Sequence, residues 1–374
     1  MARVLIVGVS ARALAESAAR AGHTVVAVDG FGDWDLRAAA ARVVVARAGR
    51  RFSVGRALRA ARALAHEAVC YAAGLENRPR AVAALARGAA LWGNPPAVLA
   101  RVRDPRKLAA ALRARGFATP RLRTPPLRGR PRGRWLRKPR ASGGGSGIVP
   151  WDGGGLPHGY YLQEWLAGAP GSVLFVADGR RAVALGMSRG LAGDPQFGAD
   201  GFRYCGSILL PPRGPLFSRA ARLAAAVTEA FGLVGVNGID FIAVGAEPYP
   251  VEVNPRYTAA MELVERACRV SVFELHTRAL AGALPMAPPA APPARGTLGK
   301  AIVYARRPVT VPDTRRWLAG AAVRDVPPPG TRIPRGAPIC TIFARGRDPT
   351  ACHAALRARA RRLYRTLETQ REVA

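Results

Sequence analysis

Lysine is nearly absent from this chain. Only Lys107, Lys138 and Lys300 occur among 57 basic residues, which leaves 54 arginines. Acids are scarce as well: 24 Asp and Glu set against those bases give a formal net charge of +33. No run of eighteen apolar residues occurs, which excludes a membrane-spanning helix. The five cysteines (Cys70, Cys205, Cys268, Cys340, Cys352) are scattered, with no CxxC. That spacing excludes a disulfide framework and a thiolate zinc site, and fits a reducing cytoplasm. The opening residues M-A-R-V-L-I-V-G lack a leader's cleavage pattern and read directly as a strand. The turn after that strand is G-V-S-A-R, not GxGxxG, so a dinucleotide role has little support. GxxxxGK[ST] is missing everywhere.

The charge has two readings. One is attraction to nucleic acid. The other is composition: 41 glycines, 32 prolines and abundant alanine accompany the arginines, the profile of a GC-rich coding sequence. The arginines run through nearly every segment, and no nucleic-acid motif or aromatic-basic interleaving is present, which favours composition. Lysine poverty then becomes informative. Where a lysine survives, a guanidinium cannot replace a compact ammonium, and Lys138 draws attention first.

A chain of 374 residues holds two or three domains. Residues 1–103 read as an open α/β sheet domain: strands at Val4–Val7, Thr24–Val28, Val43–Val45, Ala68–Tyr71 and Ala89–Trp92 alternate with Ala/Arg-rich helices. Asp104-Pro105 opens a helix with an N-cap acid and a proline at its first position. Residues 121–140 hold nine basic residues and no acid, and read as a connector. The strand Trp135–Pro139 inside it carries Lys138. The run Ala141-Ser142-Gly143-Gly144-Gly145-Ser146-Gly147 follows, and Ile148-Val149 resumes a strand. Such a loop brings backbone N–H groups close to phosphate oxygens. An apolar strand then ends in Gln163-Glu164 and runs through Trp165 and Leu166 to Gly168. Ser218 reads as the cap of a helix ending at Gly232. The Pro/Ala stretch 287–294 reads as a linker before a small C-terminal α+β domain, 287–374.

The stretch Gly235–Thr258 is the chemical centre. Strands Ile239–Val244 and Tyr249–Asn254, joined by a turn at Gly245–Pro248, place Asp240 opposite Glu252. Glu252, Asn254 and Arg256 share one face. Two carboxylates about 5 Å apart destabilise each other. With an amide oxygen beside them they call for a hard cation, and Mg²⁺ shared with phosphates fits.

E-V-N-P-R after an apolar strand, with D-F twelve residues earlier, resembles the metal-binding hairpin of ATP-grasp enzymes. The lysine strand, glycine loop and Q-E hinge precede it in that family's order. The resemblance spans about residues 104–286. It implies a two-lobed α+β ATP-grasp module behind a pre-ATP-grasp open sheet. It implies ATP and Mg²⁺ (or Mn²⁺) as cofactors, with Asp240, Glu252 and Asn254 as metal ligands. Lys138 and residues Ser142, Gly143, Gly144, Gly145, Ser146 and Gly147 would cover the phosphates. Gln163 or Glu164, with the backbone of Trp165 and Leu166, would read adenine. Arg256, with Lys138, would serve catalysis at the transferred group. A basic phosphate contact is expected near Lys107, with Arg103 and Arg106 as alternatives. The family's ribose acid has no counterpart, Ser172 being the nearest polar side chain, and Arg189 is a weak candidate for the acceptor side.

The implied activity is carboxylate activation by ATP and attack by an amine, both small molecules, in a cytoplasmic enzyme for which a homodimer is compatible. The layout is nearest to the carboligase-like branch, some members of which build amino-acid conjugates or cofactors such as methanofuran-type one-carbon carriers. A phosphotransferase, a non-catalytic ATP-binding regulator and a basic nucleic-acid-binding protein stay open as alternatives.

Overall fold

The computed structural model describes residues 1–127, 129, 131–289 and 296–369. Two arginines of the basic connector and most of the Pro/Ala stretch therefore lie outside the described residues.

Five parallel strands build the first sheet: Arg3–Val7, Thr24–Asp29, Arg42–Val45, Ala68–Tyr71 and Ala90–Leu91, in the spatial order third, second, first, fourth, fifth. The near-continuous apolar run of the first strand follows from burial on both faces, and Val4 to Val7 are each 0 % exposed. A sheet of this order opens a ligand crevice between its first and fourth strands. Here the crevice is shut by backbone. The Val9 N–H donates to the Ala73 carbonyl (2.9 Å) and Gly30 N–H to the Val9 carbonyl (3.1 Å). A Cβ on Gly8 would stand 2.6 Å from Ala72 Cβ.

A four-stranded antiparallel sheet follows, in the order Val149–Pro150, Trp135–Pro139, Tyr160–Glu164, Leu122–Arg123. The largest sheet has eight strands, in the order Glu247–Asn254, Val234–Val244, Ala169–Asp178, Ala182–Ala192, Tyr204–Leu210, Thr297–Tyr304, Pro338–Gly346, Val323–Arg324. Helix Pro215–Phe231 covers one face through Leu223, Ala224 and Val227 against Val173, Phe175 and Ile239. That helix begins a turn earlier than Ser218, because Pro215 can occupy its first position. The other face carries helices Met261–Cys268 and Val272–Leu280. Its core, with Leu174, Val176 and Phe273, is continuous with Val4, Ile6 and Leu14 of the first domain. After the hairpin the chain turns and becomes helix at Met261. The C-terminal strands extend the large sheet through the pairing of Gly206 with Ala301 and Ser207 with Lys300. Helix Pro349–Thr369 packs on them through Leu356 and Ala360.

Candidate active site

The acid hairpin is longer and tighter than its sequence suggested. Its strands run Val234–Val244 and Glu247–Asn254, so only Gly245 and Ala246 turn. Glu247, Pro248 and Pro250 lie inside the second strand. Proline fits there because this strand forms the sheet's edge and one row of its N–H groups has no ladder partner. A two-residue turn in plain register would pair Asp240 with Val251. The register shifts by one beyond Phe241, Val251 is left over, and Asp240 pairs with Glu252. The bulge is thus what sets the two carboxylates face to face.

Each acid has a distinct environment. Asp240 accepts from Asn254 Nδ2 (2.8 Å). Burial, and then the neighbouring Glu252 charge, push its carboxyl up to about 6, while the Ser172 hydroxyl and Asn254 act in the opposite sense. Ser172 is therefore engaged at the acid pair rather than standing free for a ribose. Glu252 is ion-paired with the Arg103 guanidinium. Arg103 also donates to the Val253 carbonyl (2.9 Å), to Asn77 Oδ1 (2.8 Å) and to the Ser142 carbonyl (3.2 Å). Burial opposes its charge, yet Glu252 and Glu76 together raise its pKa. Of the three basic candidates near residue 107, only Arg103 reaches the site, whereas Arg106 and Lys107 are exposed.

Lys138 is 6 % exposed. Its Nζ donates to Gln163 Oε1 (3.0 Å) and, at longer range, to the Val251 carbonyl (3.5 Å). Burial lowers its pKa against the pull of Glu252 and Asp240. Lys138 pairs in register with Tyr161, and Leu136 with Gln163. Lys138 and Gln163 therefore share the face that looks toward the hairpin. Glu164 lies on the opposite face, where it accepts from Arg121 N and Nε (both 3.0 Å). Trp165 and Leu166 follow at the hinge, half-buried. The Trp165 N–H donates to the Arg134 carbonyl (2.9 Å), and the Arg134 guanidinium stacks on the Trp165 ring at 3.9 Å.

The glycine loop is docked, not free. Gly144 accepts from Tyr204 N (2.9 Å), and Ser142 accepts from Asn77 Nδ2 (3.1 Å). Gly145 has φ +77, and any Cβ there would overlap the Phe202 carbonyl. Among the described residues, no backbone hydrogen bond takes the N–H groups of Gly143, Gly144, Gly145 or Gly147, which leaves them as donors for a ligand.

Arg256 donates to Glu76 Oε1 (2.7 Å), to Asn254 Oδ1 (3.1 Å) and to the Tyr257 carbonyl (3.0 Å). Arg189, by contrast, points to the Pro349 carbonyl (3.4 Å) at the C-terminal helix. Burial pushes Glu76 up, but Arg256 and Arg103 outweigh it and hold its pKa low. Glu76 and Asn77 escaped the reading of the sequence. Their signal was there: an acid in the apolar run A-A-G-L-E-N, in a chain poor in acids.

Among the described residues no group of three or more His, Cys, Asp or Glu is placed to hold an ion. The donor set here is two opposed carboxylates and one amide. That suits Mg²⁺, which binds through one or two carboxylates and takes the rest of its shell from phosphates and water. Asn254 offers its NH₂ to Asp240 and its Oδ1 to Arg256, so as a ligand it would turn its amide.

Residues 102–260 match the family model of an ATP-grasp domain. No curated protein matches the sequence with significance. Among the solved structures that resemble the fold are the three that follow. The pyruvate carboxylase of Rhizobium etli (T882A, with the allosteric activator acetyl coenzyme A) superposes with a TM-score of 0.72 at 14 % identity, over 95 % of this chain and 36 % of that one. The chain thus spans only about a third of that enzyme's length. The biotin carboxylase domain dimer of Hydrogenobacter thermophilus 2-oxoglutarate carboxylase, a complex with Mg·ADP, ADP and bicarbonate, gives a TM-score of 0.71 at 14 % identity, over 92 % and 86 % of the two chains. The N5-carboxyaminoimidazole ribonucleotide synthetase of Thermus thermophilus gives 0.67 at 21 % identity, over 94 % and 96 %. The chain has the ATP-grasp fold.

Proposed function

We propose that this chain, built around an ATP-grasp domain, is an ATP-dependent ligase that joins a small carboxylic acid to an amine. A carboxylate oxygen attacks the γ-phosphorus of ATP and ADP leaves. The amine then attacks the acyl carbon of the resulting acylphosphate, and phosphate leaves. The observation that carries this reading is the opposed pair Asp240–Glu252, bounded by buried Lys138 on one side and half-buried Arg256 on the other. Phosphoryl transfer asks mainly for positioning and charge neutralisation, which such a constellation supplies without a protein nucleophile.

Asp240, Glu252 and a turned Asn254 would hold Mg²⁺ or Mn²⁺, which when bound neutralises phosphate charge. Lys138 would leave Gln163 for a phosphate oxygen, and the amides of residues 142–147 would close over the chain of phosphates. Arg103 would release Glu252 and turn to the phosphates. Gln163, with the backbone of Trp165 and Leu166, would read adenine, and Glu164 lies on the outer face. Arg256, braced by Glu76, would hold the transferred group. We assign residues 1–103 and 104–286 to the acceptor side and the ATP side, and residues 287–374 to a C-terminal unit sharing the large sheet.

The test is calorimetric titration of Mg·ATP at moderate salt into wild type, Lys138→Ala and Glu252→Gln. The expected result is metal-dependent binding in wild type that both variants lose, followed by acid- and amine-dependent ADP release. Equal binding in all three proteins would end the reading.

A further inference from the structure

A line of hydrogen bonds runs from the C-terminal unit to the glycine loop. Tyr364, on helix Pro349–Thr369, donates its hydroxyl to the Tyr304 carbonyl (2.7 Å). Tyr304, at the end of strand Thr297–Tyr304, donates its own hydroxyl to the Tyr204 carbonyl (2.7 Å). The Tyr204 N–H in turn donates to the Gly144 carbonyl (2.9 Å). A second contact pins the same segment. Arg203 donates to the Gly336 carbonyl (2.7 Å), and its guanidinium lies over the Tyr304 ring at 5.2 Å. The neighbouring Phe202 sets its ring edge-on to Trp165 of the hinge, with centroids 5.8 Å apart, and its carbonyl against Gly145. Residues 202–204 are therefore the seat of the glycine loop, and the C-terminal unit holds that seat.

The loop is held by its carbonyls. Ser142 O accepts from Asn77 Nδ2 (3.1 Å) and from Arg103 (3.2 Å). Gly143 O accepts from Ser146 N (3.2 Å), Gly144 O from Tyr204 N, and Gly145 O from Ile148 N (3.3 Å). Four consecutive carbonyls are thus engaged. In a trans peptide the C=O and N–H point in opposite directions. Fixing the carbonyls of Ser142, Gly143 and Gly144 therefore fixes the N–H groups of Gly143, Gly144 and Gly145, the same groups that no backbone acceptor takes. Donors fixed in advance stabilise anionic oxygen without having to reorganise. Two of the four carbonyl contacts are local to the loop. The contact at Gly144 comes from the large sheet, where Tyr204 depends on Tyr304.

We propose that Tyr304 is a positioning residue: its hydroxyl holds Tyr204 so that the glycine loop presents the amides of Gly143, Gly144 and Gly145 to the phosphates of ATP. The C-terminal unit thereby contributes to nucleotide binding without touching the nucleotide. The proposal rests on the ATP-binding reading of the loop.

Tyr304→Phe removes the hydroxyl and keeps the ring under Arg203. Tyr364→Phe is its counterpart, losing an equally short hydrogen bond in the same unit, one step further from the loop. Wild type and both variants are titrated with Mg·ATP by calorimetry. Hydrogen exchange, read by mass spectrometry, is followed at the Tyr204 amide and across strand Ala169–Asp178. Tyr304→Phe should bind Mg·ATP about fivefold more weakly, the usual loss for one hydrogen bond. Its Tyr204 amide should exchange faster by about the same factor relative to that strand. Tyr364→Phe should lose thermal stability to a similar degree, yet bind Mg·ATP as wild type does. Wild-type Mg·ATP affinity or wild-type Tyr204 exchange in Tyr304→Phe overturns the proposal. So does equal weakening by Tyr364→Phe, which would make the effect one of general stability. A wild type that does not bind Mg·ATP ends the ATP-binding reading, and this proposal with it.

Discussion

Replacing Glu262 with glutamine should cost more stability than removing Lys300, one of the three cations that hold it. Arg12, 1 % exposed, grips Glu262 at 2.5 and 3.1 Å and Asp325 at 2.9 and 3.2 Å. Lys300, 3 % exposed, reaches Glu262 at 2.6 Å. Arg266 completes the set at 3.0 Å. Burial opposes the Glu262 charge, but Arg12 and Lys300 outweigh it and hold its pKa well below the usual range. In Glu262→Gln, Arg12 keeps Asp325 and Glu16, but Lys300 loses its carboxylate and keeps the Ala259 carbonyl and the face of Phe343. A buried charge stripped of its partner costs about 3–5 kcal/mol. In Lys300→Met, Glu262 keeps two guanidinium partners, so the loss is one charged hydrogen bond, about 1.5–3 kcal/mol. In the double variant the stranded ammonium disappears together with its acid. The two costs should therefore fall short of adding, by about 1–3 kcal/mol. Urea denaturation of the four proteins gives the cycle. Additive costs, or a larger loss for Lys300→Met than for Glu262→Gln, would refute the reasoning.

Acid should loosen the junction of the first domain and the hairpin through His276. Its Nδ1 accepts from Val236 N (2.9 Å), and burial lowers its pKa to about 4 from 6.5. A depressed folded-state pKa favours the native form above the unfolded pKa, and that stability is lost as pH falls through the folded one. About 3 kcal/mol should therefore go between pH 6.5 and 4, and a His276→Asn variant should show a flatter stability profile over that range. Gly145→Ala should unseat the glycine loop, because a Cβ there meets the Phe202 carbonyl at φ +77. Gly143→Ala meets nothing within 4 Å, so its Mg·ATP affinity should exceed that of Gly145→Ala by tenfold or more in calorimetry.

Much of this molecule was written locally. Alternation and apolar runs located the five parallel strands. Asp104-Pro105 opened its helix as expected, with Asp104 accepting from Arg106 N (2.8 Å). Lysine scarcity pointed to buried Lys138, and the same logic holds for buried Lys300. Other features lay beyond local pattern. The bulge at Val251 that pairs Asp240 with Glu252 is set by two strands and their sheet together. Arg103 and Glu76 reach the acid hairpin across 149 and 180 residues of chain, a distance over which neither spacing nor periodicity carries information.

The residues alone determined which chemistry was on offer: two acids on one hairpin, a lysine before a glycine loop, an arginine after an asparagine. Backbone geometry and side-chain type decide those features within a few positions. Only the tertiary structure decided which charge meets which. Arg103 rather than Lys107 pairs with Glu252, and Glu164 turns outward to Arg121. In a chain with 54 arginines the sequence offers each acid many partners, and burial in one packed arrangement selects among them.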